Sequence, residues 1–176
     1  MKKKKASTKK ETIFVSIASY RDKELIPTLD NMIKQAHNPE NLKICVCWQH
    51  DEDEDLSKYE KDSRFLIIDV PYQEAKGVCW ARNLIQKQFD NEGYILQLDS
   101  HHRFLKGWDT ILKKKLNSLK DKGVKKPIIS AYLPGYDPEN DPKGRIKENW
   151  KLCFDRFMPE GAVFLRPAHI PKETKG

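Results

Sequence analysis

Residues 94–104 read YILQLDSHHRF, a short apolar run that leads directly into polar side chains. The segment 94–98 is rich in strand formers and has the length of a buried strand. Asp99 and His101 follow it, separated by one residue. In an extended backbone, residues two positions apart project to the same side, so a carboxylate oxygen and an imidazole nitrogen here can bind one ion. This mixture of donors suits Mn²⁺ and also tolerates Mg²⁺ or Zn²⁺. The alternative is a polar loop in which both side chains bond only to the backbone.

Outward from this segment, the chain alternates between predicted strands and predicted helices. We predict strands at 13–19, 42–48, 64–70, 94–98 and 127–133, late strands at 150–154 and 161–165, and helices at 24–35, 77–89 and 108–119. Such alternation indicates an α/β fold with a mostly parallel sheet flanked by helices, whose ligand binds beyond the carboxyl ends of the strands. Residues 16–20 and 99–101 both lie at such ends. Residues 51–55 are acidic, and a solvated loop is favoured there over cation chelation.

Length and charge restrict the possible classes of protein. The chain of 176 residues fits one ordinary domain, and its 38% hydrophobic content is compatible with a folded core. No apolar run reaches the roughly 18 residues of a membrane span, and no signal-peptide core is visible at the start. The net charge of +7 is concentrated in a lysine-rich start, and we predict that residues 1–11 form a disordered basic tail. A basic arm that binds nucleic acid is the alternative.

The cysteines carry no spacing typical of a metal or redox motif. They stand at positions 45, 47, 79 and 153, with no C-x-x-C pair. Most of them fall among predicted strand or helix-core residues, which favours reduced thiols over a disulfide framework. Reduced thiols, together with the absence of a spanning segment, lead us to expect a cytoplasmic protein.

Three segments together resemble a known family. They are VSIASYRD at 15–22, GVCWARN at 77–83 and LDSH at 98–101. Their order and spacing are similar to those of nucleotide-sugar-dependent glycosyltransferases with the GT-A fold, a Rossmann-like nucleotide-diphospho-sugar transferase architecture. The resemblance is greatest to the cytoplasmic N-acetylglucosaminyltransferases that modify hydroxyproline on a ubiquitin-ligase subunit, and more distant to the polypeptide N-acetylgalactosaminyltransferases. It spans about residues 12 to 170.

The resemblance implies a metal-dependent enzyme that transfers N-acetylglucosamine from UDP-GlcNAc to a protein hydroxyl, with retention at the anomeric carbon. A divalent cation, Mn²⁺ before Mg²⁺, would be held by Asp99 and His101 through a D-x-H motif and would bridge the two phosphates. Arg82, near the start of its helix, can donate a charge-assisted fork to a phosphate, and a surface arginine is the alternative.

The remaining donor-binding candidates lie at the end of the first strand and after Asp99. Small residues there allow the uridine to approach the backbone, Tyr20 can stack on the base or pack in the core, and Arg21 can contact the donor or cap the next helix. These candidates are Ser16, Ala18, Ser19, Tyr20, Arg21 and Ser100. The resemblance identifies no catalytic base.

Domain boundaries follow from the same pattern. We expect a donor-binding α/β domain at 12–133 and the start of an acceptor-side region at 134–176. Because the family's later acidic motif has no counterpart here, we expect an incomplete C-terminal region and a third metal ligand outside this chain, with His169 a weaker candidate. Two alternative functions remain open: an inactive or truncated module that binds a UDP-sugar, and a basic protein that binds nucleic acid. The oligomeric state is not predicted.

Overall fold

The computed structural model describes residues 9–51 and 55–170, and these divide into two compact units, one up to residue 121 and one from residue 122. The strands and α-helices of the described residues are, in chain order, β1 (Ile13–Tyr20), α1 (Leu25–Gln35), β2 (Leu42–His50), α2 (Ser57–Glu60), β3 (Phe65–Pro71), α3 (Val78–Gln86), β4 (Tyr94–Asp99), α4 (Trp108–Asp121), β5 (Trp150–Phe157) and β6 (Val163–His169). Short 3₁₀ helices occupy Lys9–Glu11, Pro39–Asn41, Tyr72–Glu74 and Pro138–Asn140.

The first unit is built on a four-stranded sheet with the strand order β3-β2-β1-β4. All of its strand pairs are parallel. The strands therefore end at the same edge of the sheet, and β1 stands between β2 and β4 there. This arrangement confirms the predicted α/β class and is consistent with a Rossmann-like GT-A fold.

Two apolar clusters cover the two faces of this sheet. One face packs on α1 and α4 through residues such as Val15, Leu29 and Trp108. The other face packs on α3 through Phe14, Cys45 and neighbouring residues. Side chains alternate along a strand. In β4 the residues Leu96 and Leu98 therefore face the first cluster, whereas Ile95, Gln97 and Asp99 lie on the α3 face and are exposed.

Helix α1 follows from the periodicity of its apolar residues. Leu25, Leu29 and Met32 are buried at helical spacing, as predicted. The helix is preceded by Asp22, whose Oδ1 accepts a hydrogen bond of 2.9 Å from the backbone N–H of Glu24. Pro27 lies within the first turn, where its missing N–H removes no helical bond. The helix thus begins at the same sheet edge where β1 ends.

The second unit contains an antiparallel pair, β5 and β6. The two late strands are confirmed, with later ends than predicted. The strand predicted at 127–133 is wrong: in the described residues this segment makes only an isolated bridge between Tyr132 and Trp150. Pro127 has no backbone N–H to donate to a neighbouring strand. Ile128 is 87% exposed because no strand among the described residues packs beside this apolar run.

Several predictions fall partly outside the described residues. Residues 1–8 of the predicted tail, 52–54 of the acidic loop and 171–176 of the predicted acceptor-side region lie there. None of the helices in the described part of the chain combines the length and the apolar character that crossing a membrane requires. The four cysteines are free thiols, buried at Cys45 and Cys47, exposed at Cys79 and partly buried at Cys153.

Candidate functional site

The predicted site residues gather where β1 and β4 end. Ala18 of β1 pairs directly with Asp99 of β4, and Ser16 pairs with Gln97. Asp99 is the last residue of β4, and the side chains of Ala18 and Asp99 share the sheet face that packs on α3. The small side chain of Ala18 therefore lies beside the carboxylate of Asp99 at the end of the sheet.

Arg82 reaches this carboxylate from α3. Its Nη2 donates to Asp99 Oδ1 at 3.1 Å, with side-chain exposures of 30% for Arg82 and 57% for Asp99. The Nε of Arg82 is buried and has no hydrogen-bond partner among the described residues. A buried donor without a partner is costly. At the edge of the sheet, the Nη2 group of Arg82 is the one that bonds to Asp99.

The side chains of His101 and Ser100 both contact Asp22, which lies between β1 and α1. Asp22 Oδ2 lies 2.7 Å from His101 Nδ1 and accepts a hydrogen bond of 2.5 Å from Ser100 Oγ. Burial alone would raise the pKa of Asp22, but the hydrogen bonds from Ser100, His101 and the Glu24 backbone outweigh it and lower that pKa below its ordinary value. Asp22 is therefore ionised at neutral pH.

The loop that follows His101 forms hydrogen bonds and an ion pair with α1 and with the residue directly before it. The Thr28 hydroxyl bonds to both the N–H and the carbonyl of His102, and Asn31 Oδ1 accepts from the N–H of Phe104 at 2.7 Å. Arg103 donates to Glu24 at 2.6 Å. The loop carrying His101 is thus held by one rigid helix.

A second group of polar side chains lies where β1, β2 and β3 end. Arg21, which has a φ of 49°, donates from Nε to Asp51 Oδ2 at 2.7 Å, and its guanidinium lies 4.5 Å from the centre of the Tyr72 ring. The hydrogen bond and charge of Asp51 raise the pKa of Arg21. His50 Nε2 lies 2.8 Å from Asp69 Oδ1. Arg21 therefore belongs to this group rather than capping α1.

The other predicted residues differ in accessibility. Tyr20 is 54% exposed, so its ring does not pack in the core. Ser16 and Ser19 are buried, and neither hydroxyl has a hydrogen-bond partner within the described residues. Ser16 lines a cavity of about 250 Å³ together with Phe14, Gln86, Phe89, Ile95 and Gln97. In β1, Ser16 lies two residues before Ala18, which pairs with Asp99 at the end of the sheet.

Asp99 and His101 offer the two kinds of donor atom, carboxylate oxygen and imidazole nitrogen, that divalent cations accept. Because Nδ1 of His101 faces Asp22, Nε2 is the nitrogen left for a metal. Asp99 Oδ2 accepts no hydrogen bond from any residue that the structure describes. A cation in such a site completes its coordination with water and substrate phosphates. In the described ranges no three His, Cys, Asp or Glu side chains cluster closely enough to bind a metal.

Sequence reasoning missed the residues that act as partners. Asp22 lies within the segment 15–22, but the sequence predicts no role for it. Asp51 is predicted to lie in a solvated loop, and no site role is predicted for Tyr72 or Asp69. Each of these residues lies within two residues of the end of β1, β2 or β3, at the carboxyl edge of the sheet. The position of polar residues after every strand, not only the first and fourth, is the signal that identifies them.

Comparison with known proteins gives one match. A model of the family described as Glycosyltransferase (GlcNAc) matches residues 12–65 and 57–176, which together span nearly the whole chain. No curated protein and no solved structure shows a significant match.

Proposed function

The chain belongs to the Glycosyltransferase (GlcNAc) family, and on that premise we propose that it transfers N-acetylglucosamine from UDP-GlcNAc to a protein hydroxyl. A divalent cation, Mn²⁺ before Mg²⁺, would assist the reaction. The observation that carries the proposal is the ion pair of Arg82 with Asp99 at the end of β4, two residues before His101. A cation and a positively charged side chain can each neutralise charge on a nucleotide diphosphate, and this edge offers donors for the first and Arg82 for the second.

Each residue at this edge has a distinct task in the proposal. Asp99 and His101 would hold the cation, which would neutralise charge on the diphosphate and on the leaving UDP. Arg82 donates to a phosphate oxygen through the guanidinium nitrogens that Asp99 does not occupy. Charge that develops on the leaving diphosphate is then stabilised by groups already in position, which lowers the barrier without reorganisation.

The nucleoside end of the donor is assigned to the neighbouring part of the edge. Tyr20 is exposed at the end of β1 and offers an aromatic face for the uracil ring. Arg21 is held between Asp51 and Tyr72, so its side chain is fixed before any ligand binds. Ala18 and Ser19 are small and allow close approach to the backbone of β1. In the proposal, Tyr20 contacts the nucleoside, and Ala18 lies beside the position of the diphosphate at Asp99.

The finer features of the proposal rest on the resemblance of the three sequence segments. These features are a hydroxyproline-type acceptor and retention at the anomeric carbon, whereas the proposed cytoplasmic location rests on the reduced state expected of the cysteines. The basic-tail alternative has less support: Lys9 is ion-paired with Asp90 at 2.6 Å, and the lysines before it lie outside the described residues.

Thermal unfolding with and without ligands tests donor binding. UDP-GlcNAc with Mn²⁺ at about 100 times its dissociation constant should add roughly 2.7 kcal/mol of stability. For a chain of this length that corresponds to a rise in Tm of about 5–10 °C. Asp99→Asn should remove the metal-dependent part of the rise. Asp90→Asn is the matched control, since Asp90 is also ion-paired and exposed but precedes β4.

Two results would contradict the proposal. Donor binding is rejected if no UDP-sugar raises the Tm in the presence of Mn²⁺. Transfer is tested separately by UDP release with a hydroxyproline peptide, with the same peptide containing proline as control. A rise in Tm without UDP release from any hydroxyl-bearing acceptor would favour the alternative of a catalytically inactive UDP-sugar-binding module.

A further inference from the structure

We propose that Asp22 is a positioning residue for His101: it holds the proton on Nδ1 and thereby presents the Nε2 lone pair to the cation. The proposal rests on the proposed function, because it concerns the same metal site. Asp22 is distant in sequence from the D-x-H segment, and only the fold brings the two together. The contact between Asp22 and His101 joins the segment before α1 to the loop after β4.

The geometry of the carboxylate supports this role. Asp22 Oδ2 lies 2.7 Å from His101 Nδ1, while Oδ1 accepts from the Glu24 backbone at 2.9 Å. The second bond fixes the carboxylate to the first turn of α1, so that it cannot rotate freely. Ser100 donates to the same Oδ2 at 2.5 Å and restrains it further. His101 is therefore oriented by a group that is itself held in place.

An ionised carboxylate determines which imidazole nitrogen carries the proton. A carboxylate only accepts hydrogen bonds, so the nitrogen that faces it must be the donor. In a neutral imidazole the other nitrogen, Nε2, then has the lone pair that a metal requires. Histidines that bind metals commonly donate their second nitrogen to a carboxylate, which fixes the ring and increases its basicity as a ligand.

Accessibility separates this role from direct metal ligation by Asp22. The Asp22 side chain is 20% exposed, whereas that of His101 is 59% exposed. Oδ2 already serves both Ser100 and His101, and Oδ1 serves the backbone of Glu24. The accessible donor is therefore the ring of His101, and Asp22 supports it from the interior side.

The tautomer of His101 in the metal-free protein is the first measurement. Long-range ¹H–¹⁵N correlation spectra at pH 8 distinguish a protonated ring nitrogen from one with a lone pair, and the His101→Ala variant assigns the signal. Wild-type His101 should be protonated on Nδ1. Asp22→Ser should shift it predominantly to the Nε2-protonated form, because one serine oxygen can still accept from the Glu24 amide but cannot also serve His101.

The second measurement is Mn²⁺ affinity, by titration of the metal alone and in the presence of UDP. Asp22→Ser should weaken Mn²⁺ binding about 10- to 100-fold. The matched control is Asp30→Ser. It removes a carboxylate within α1 that contacts Lys58 and Tyr59 instead of His101. The control should leave both the tautomer and the affinity at wild-type values. Circular dichroism and urea unfolding verify that both variants are folded.

The outcomes separate this inference from the proposed function. If wild-type protein binds no Mn²⁺ under either condition, the metal-dependent function is rejected and the inference with it. If wild-type protein binds Mn²⁺ and Asp22→Ser leaves the tautomer or the affinity unchanged, the inference alone is overturned. A changed tautomer with weakened affinity supports it, since loss of a purely structural contact would not select one ring nitrogen.

Discussion

Thr28 and His102 are joined by a reciprocal pair of hydrogen bonds. The Thr28 hydroxyl accepts from the His102 N–H at 2.9 Å and donates to the His102 carbonyl at 3.1 Å. Thr28 is completely buried on α1, and His102 directly follows the proposed metal ligand. One hydroxyl therefore satisfies both backbone groups of a residue in the loop that carries the site.

Replacing Thr28 by valine should destabilise this loop. Valine keeps the shape but leaves the N–H of His102 without its partner and its carbonyl with the Arg103 Nη1 bond alone, so we expect a loss of about 1–3 kcal/mol in the free energy of unfolding. Thr28→Ser retains the hydroxyl and should lose only the contribution of a methyl group, about 1 kcal/mol. Urea unfolding measures both. Equal losses for the two variants would show that the hydroxyl bonds contribute nothing.

Asp109 should make the stability of the fold depend on pH. This carboxylate at the start of α4 is 1% exposed and accepts from the N–H groups of His37 and Asn38 at 2.8 and 2.9 Å. Burial would raise the pKa of Asp109, but these backbone bonds and the one from Thr110 outweigh it and lower the pKa. The carboxylate therefore stabilises the fold above its unfolded pKa of about 3.9.

This stabilisation is lost as the pH falls through the lowered pKa of the folded state. Asp109→Asn should be less stable than wild type by about 1–3 kcal/mol at pH 7, since its amide cannot accept at both positions. The difference should shrink as the pH decreases from about 4 through the lowered folded-state pKa, because Asp109 is protonated first in the unfolded and then in the folded wild-type protein. Urea unfolding of both proteins from pH 7 to pH 2.5 measures it, and a difference that is constant with pH would contradict the assignment.

Replacing Arg82 should change the affinity for the nucleotide and the affinity for the metal in different ways. In the proposed site Arg82 binds phosphate, and its removal should weaken UDP binding in the presence of Mn²⁺ by about 2–4 kcal/mol. Because Arg82 also occupies Asp99 Oδ1, Arg82→Ala frees that oxygen and should leave the affinity for Mn²⁺ alone unchanged or increased. Arg82→Lys keeps the charge without the planar fork and should give an intermediate UDP affinity. Calorimetric titration distinguishes the two ligands, and a parallel loss of both would contradict this division.

The cysteines should differ in their reactivity towards alkylating reagents. Burial raises the pKa of the Cys45 thiol to about 12 and that of Cys47 to about 11, whereas Cys79 is exposed on α3. Thiolates are the reactive species, so iodoacetamide at pH 8 should modify Cys79 rapidly and leave Cys45 and Cys47 unmodified until urea is added. Peptide mass spectrometry measures this, with Cys79→Ser as control. Early modification of Cys45 would show that β2 is not buried as described.

Local sequence pattern predicted most of the first unit. The apolar segments at 13–19, 42–48, 64–70 and 94–98 all became strands, because each is short, strand-forming and bounded by polar or turn residues. The same reasoning was wrong for 127–133. An apolar run forms a strand only when another strand donates and accepts its backbone hydrogen bonds, and local sequence does not contain that information.

The sequence by itself determined the α/β alternation and the position of Asp99 and His101 at the end of a strand, since periodicity and residue type are local properties. Only the tertiary structure determined their partners. Arg82 faces Asp99 because α3 packs on the sheet face to which Asp99 points, and Asp22 faces His101 because β1 lies beside β4 and ends at the same edge. Strand order is fixed by packing of the whole unit, so contacts between residues nearly 80 positions apart cannot be read from either segment alone.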